Sequence, residues 1–115
     1  MQLANLLLLA AAATASALTR PKANEYKDTA CNDWNYGHNS FFLTDVTMDD
    51  TTNSVYLTNG QDLDGENMRW YAYDDKTGNG GSCTGNFLGP MANEGCININ
   101  EYIAGSRIRC LRSSP

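Results

Sequence analysis

The chain has 115 residues, thirteen acidic against eight basic, and a formal net charge of −5. It is too short for two domains of ordinary size and too acidic to favour nucleic acid as a partner. A single histidine excludes catalysis by paired imidazoles, and Cys83 and Cys96, the closest cysteines, stand too far apart for the usual pairs of zinc ligands.

At the start, Leu6 to Leu9 run into an alanine-rich tail that closes on Ala15-Ser16-Ala17, the small-x-small pattern that a signal peptidase cleaves. Residues 1–17 are therefore expected to be a signal peptide, with Leu18 first in an exported, extracellular chain. The apolar run is about a dozen residues, short of the roughly 20 that a spanning helix needs, so no membrane span is predicted. Residues 18–29 are polar, contain Pro21 and lack an apolar period, which predicts a flexible arm. One domain is expected over residues 30–115.

Within that domain no stretch holds a helical apolar period, whereas strand signals recur. Aromatic and β-branched residues mark 41–48 and 54–58, and Met68, Trp70 and Ala72 alternate with Arg69, Tyr71 and Tyr73 over 68–73. Shorter strands are predicted at 83–88, 96–99 and 106–111, the last with Ile108 and Cys110 inward and Arg107 and Arg109 outward. Turn-forming clusters separate them, among them Asn59-Gly60, Asp64-Gly65 and Gly78 to Gly81. The expected fold is all-β, a small antiparallel sandwich or barrel.

A core of this size gains from covalent help, and four cysteines in an exported chain read as two disulfides. Three pairings are open. The expected one joins Cys31 to Cys110, tying the ends of the domain, and Cys83 to Cys96, stapling a glycine-rich excursion.

Chemistry-bearing residues are few. His38 or Glu101 as acid and base, with Arg107 or Arg109 steadying a phosphate, resembles by residue type alone the secreted guanyl-specific ribonucleases of fungi. No motif of that family can be laid on the chain, and no catalytic residue is assigned. The acidic loop Asp62-Leu63-Asp64-Gly65-Glu66 fails the EF-hand template, because placing Gly65 sixth puts Gly60 first and Tyr71 twelfth. No metal or cofactor is predicted. Aromatic side chains could stack on sugar rings. Trp70 and Tyr56 read first as core, while Arg69, Tyr71 and Tyr73 share one side of a strand and form the predicted binding face.

The leader, short polar arm, four cysteines and closing Gly105-Ser106-Arg107-Ile108-Arg109-Cys110 resemble the small secreted cysteine-containing proteins of filamentous fungi, many of them effector candidates in host colonisation. Over Arg69 to Leu111, Trp70-Tyr71-Ala72-Tyr73, Cys83-Thr84-Gly85, Cys96 and that closing run are similar to a Greek-key motif of the βγ-crystallin and killer-toxin-like group. The calcium signature of that group is imperfect at Asp49 to Ser54. These resemblances imply a monomeric, non-enzymatic secreted protein, of effector or virulence type, that binds a host protein or cell-wall carbohydrate. The rival expectations are a secreted antimicrobial or killer-type toxin, against which the negative charge weighs, and a small secreted ribonuclease.

Overall fold

The structure is a computed structural model that describes residues 18–102 and 105–115; the expected signal peptide lies outside the described residues. Among the described residues eight strands alternate with turns: β1 (Lys22–Tyr26), β2 (Trp34–Tyr36), β3 (Asp45–Thr47), β4 (Ser54–Thr58), β5 (Arg69–Lys76), β6 (Cys83–Pro90), β7 (Gly95–Asn98) and β8 (Cys110–Ser114), with one 3-10 turn at Ile99–Glu101. No helix among the described residues is long and apolar enough to cross a membrane.

The strands form two antiparallel sheets, ordered β2-β1-β4-β7 and β3-β8-β5-β6. Moving each strand of the first sheet four places on, counted cyclically through the eight, reproduces the second sheet read from β6 to β3. The chain is thus two four-strand units in which the fourth strand returns beside the first, the hallmark of a Greek key. In each unit the third strand leaves its own sheet and completes the other's edge. The expected all-β fold with two antiparallel sheets and two disulfides is what the chain forms.

Period-two alternation sends one face of each sheet inward. Ala23, Val55 and Leu57 from the first sheet meet Val46, Trp70, Ala72 and Leu111 from the second, and Met48, Met91, Ile99 and Ile108 close the ends of this core. Trp70 is fully buried, and its indole N–H donates to the Thr58 carbonyl at 2.9 Å, joining β5 to the end of β4 across the sandwich. Tyr56, read from sequence as core, is instead 43% exposed: it lies between inward-facing Val55 and Leu57, so the pleat turns it out.

Three further sequence expectations need correction. Residues 18–29 are not an arm, because β1 within them pairs with both β2 and β4; its polar letters hide an inward face of only Ala23 and Glu25. The last strand lies at 110–114 rather than 106–111, although Ile108 and Cys110 are buried as expected. The disulfides join Cys31 to Cys96 and Cys83 to Cys110, with Cα separations of 6.0 and 5.3 Å. The exchanged strand is the reason: β7 carries Cys96 into the first sheet beside β4, where Cys31 is anchored by its N–H on Ser54 Oγ, while Cys83 and Cys110 both begin strands of the second sheet.

The chain entering β1 is threaded tightly. Gln61 N–H donates to the Thr19 carbonyl at 2.7 Å, Pro21 is buried, and Gly60 lies under the Arg20–Pro21 peptide with φ +66°. A Cβ on Gly60 would stand 2.5 Å from that backbone. Gly60→Ala should therefore cost about 2–4 kcal/mol through clash and left-handed strain together, read as a lowered urea midpoint at unchanged slope. Peptide mapping without reduction should recover Cys31 linked to Cys96 and Cys83 linked to Cys110. Removing the first bridge, which spans 65 residues, should destabilise by about 4 kcal/mol, more than removing the second.

Candidate functional site

Because Trp70 and Ala72 face the core, Tyr71 and Tyr73 face outward on β5, as the sequence alternation predicts. The neighbouring strands add partners that the linear pattern did not reveal. Phe87 of β6 pairs with Tyr73; its ring centroid lies 5.4 Å from that of Tyr73 and 6.2 Å from that of Tyr71, in tilted contacts. Phe87 is 55% exposed. On the other flank, Arg112 of β8 pairs with Tyr71 and sets its guanidinium 5.2 Å from the Tyr73 ring centroid, a cation–π distance. A transverse row thus crosses all four strands of the second sheet, from Asp45 through Arg112 and the two tyrosines to Phe87. Arg69, exposed at the start of β5, shares the side of the tyrosines.

This row is held by a forked ion pair. Arg112 donates from Nε and Nη2 to the two oxygens of Asp45 at 2.8 and 3.0 Å, and Asp45 Oδ2 also accepts the Cys83 N–H at 2.9 Å. The Arg112 hydrogen bond is the main cause that holds the Asp45 carboxyl below its ordinary range, and Asp45 in turn raises Arg112. Bidentate geometry of this kind fixes a guanidinium plane. At the far side, Asn86 donates its backbone N–H and its amide to Asp74 at 2.6 and 2.9 Å, which locks β6 to β5 next to Phe87.

The other candidates fall elsewhere. His38 has neither Glu101 nor an arginine side chain as its hydrogen-bond partner among the described residues: Nε2 is hydrogen-bonded to Glu25 Oε2 at 2.5 Å, and Thr52 Oγ1 donates to Glu25 Oε1 at 2.7 Å. Glu25 is 1% exposed on the inward face of β1. Arg107 donates to Asn100 Oδ1 and to the carbonyls of Asp49 and Thr52, so its own guanidinium takes up oxygens of the 49–54 loop read from sequence as an imperfect calcium signature. In the second acidic loop, Asp62 Oδ1 accepts the N–H groups of Asp64 and Glu66, a self-capped turn. The cluster of Asp45, Cys83 and Cys110 has metal-ligand spacing, but both sulfurs belong to the disulfide.

Sequence reasoning placed Arg69, Tyr71 and Tyr73 on one side of a strand, as they lie in β5, and did not join Phe87, Arg112 or Asp45 to them. Phe87 stands in a glycine-rich stretch with no alternation to aim it. The Asp45–Arg112 contact spans 67 positions, so no local signal joins the two.

The pH dependence of the row follows from the lowered Asp45 carboxyl. Stability lent by a carboxylate whose native pKa is depressed is complete above its unfolded value, about 3.9, and disappears as pH falls through the native value. Asp45→Asn should be less stable than the parent at pH 7, and the difference in urea midpoint should narrow below about pH 4. No family model, curated protein or solved structure matches the chain, so the site is read from its own geometry.

Proposed function

We propose that the protein is an exported, monomeric, non-enzymatic binding protein of the fungal effector type, which engages a host protein or cell-wall carbohydrate through the outer face of its second sheet. The observation that carries this reading is the row Tyr71, Phe87 and Tyr73 flanked by Arg112 and Arg69. Rings held in mutual contact lose little freedom when a partner covers them, and tyrosine and arginine are the residues that most often dominate binding energy. Two disulfides suit an oxidising compartment, and the sequence leader supports export.

Abundance in the culture fluid of the producing organism should rise on host contact relative to growth alone; equal abundance would favour the antimicrobial rival. In a binding assay on isolated host wall and surface fractions, Phe87→Ala combined with Tyr71→Ala should weaken capture by about 10- to 100-fold, as loss of central aromatic anchors does, while the urea midpoint changes little. Undiminished capture would overturn the assignment of this face.

A further inference from the structure

The two disulfides differ in access. Cys83 and Cys110 are 7% and 0% exposed, and the Asp45 carboxylate that forks Arg112 lies within 4.8 Å of both sulfurs. Cys96, by contrast, is exposed and Cys31 is half-buried. Cys96 stands on β7, the last strand of the first sheet, which pairs with β4 on one side only. We propose that the Cys31–Cys96 bridge is a thiol-exchange site, opened in the folded protein by a small external thiol, while the Cys83–Cys110 bridge stays closed.

Backbone geometry singles out the same bridge. Among the described residues Cys31 is the one non-glycine residue with positive φ, at +57°, where the β-carbon is crowded by the following carbonyl. Its N–H bond to Ser54 Oγ at 3.0 Å and the disulfide both hold it there, so cleavage releases one of these restraints. The turn stays docked when that happens. Asn53 Nδ2 donates to the Lys27 carbonyl and Ser54 Oγ donates to the Asp28 carbonyl, each at 2.6 Å. Asp28 Oδ1 accepts the N–H groups of Asn32 and Asp33 at 3.0 Å. Opening is therefore a local change at residues 27–33, and attack does not wait on unfolding.

The chemistry is an ordinary exchange. An external thiolate attacks the sulfur of Cys96, the more exposed partner, and the bond to Cys31 breaks. Cys31 leaves with the electron pair and takes a proton from water, and Cys96 carries the mixed disulfide. A second external thiol displaces the first, so two thiols become one external disulfide while Cys31 and Cys96 gain two electrons and two protons. Access sets how fast this runs, whereas the stability lost depends on the 65-residue separation that the bridge closes. The opened form keeps its fold with a loosened first sheet. The second sheet, which carries Tyr71, Tyr73 and Phe87, retains its own bridge. Whatever that row binds, the exchange proceeds in the same way.

The test exposes the disulfide-bonded protein, without denaturant, to about 5 mM reduced glutathione at about pH 8. Samples are quenched with iodoacetamide over time and their peptides mapped by mass. A species alkylated at Cys31 and Cys96, with Cys83 still linked to Cys110, should accumulate first, at least about ten-fold faster than any opening of the second bridge. Its rate should follow the thiolate concentration and stay constant in urea below the unfolding transition. Opening of the second bridge should accelerate with urea, because it waits on unfolding. Loss of both bridges together, earlier loss of Cys83–Cys110, or a first-bridge rate that climbs with urea in step with unfolding would each overturn the proposal.

Discussion

The exchange of third strands between the two halves is the constraint on which the rest of this molecule depends. Without β7 the first sheet loses the neighbour of β4, and without β3 the second loses the neighbour of β8. Neither half can present a finished sheet, and neither can bury its inward residues alone, since Trp70 and Leu111 of one half pack on Val55 and Leu57 of the other. The Trp70 indole bonded to Thr58 across the sandwich is one polar expression of the same interlock. The fold is therefore one cooperative unit rich in contacts between distant residues, an arrangement that folds slowly for its size.

One exchanged strand, β3, serves both the outer face and an opening between the sheets. Asp45 forks Arg112, its register partner on β8, which steadies the aromatic row, while Thr47 helps form one wall of a cleft between the sheets, opposite His38 and Glu25. Thr47 Oγ1 also accepts the Gly80 N–H at 2.7 Å, which fixes the glycine turn at the mouth. Three residues thus position an outer face and an interlayer opening together, and a shift of β3 along β8 would disturb both.

How much of this was legible follows the range of the interactions. The strand at 54–58 and the inward set Trp70 and Ala72 were readable because a period of two over several residues is local information. β1 was not, since Lys22-Ala23-Asn24-Glu25-Tyr26 shows no apolar alternation until Glu25 is known to be paired with His38 and Thr52. On the outer face, the side taken by Tyr71 and Tyr73 followed from parity alone, but Phe87, Asp45 and Arg112 join them only through register between strands far apart in the chain. The cysteine pairing failed for a related reason: a staple across the glycine-rich excursion favoured Cys83 with Cys96, and the crossing of β7 separates them.

That same crossing sets a problem for oxidation. In an unfolded chain the collision frequency of two thiols falls with the length of chain between them, so Cys83 meets Cys96 more often than it meets Cys110, 27 positions away, and Cys31 meets its true partner Cys96, 65 positions away, less often still. Statistical encounter thus promotes a bridge that would tether β6 to β7, strands that belong to opposite sheets. Correct bonding requires that sheet assembly run ahead of thiol oxidation, or that an early Cys83–Cys96 link be undone by exchange. Yield in an oxidising compartment is then governed by the order of two processes, and a disulfide isomerase would contribute to this protein by reversing bonds rather than by making them.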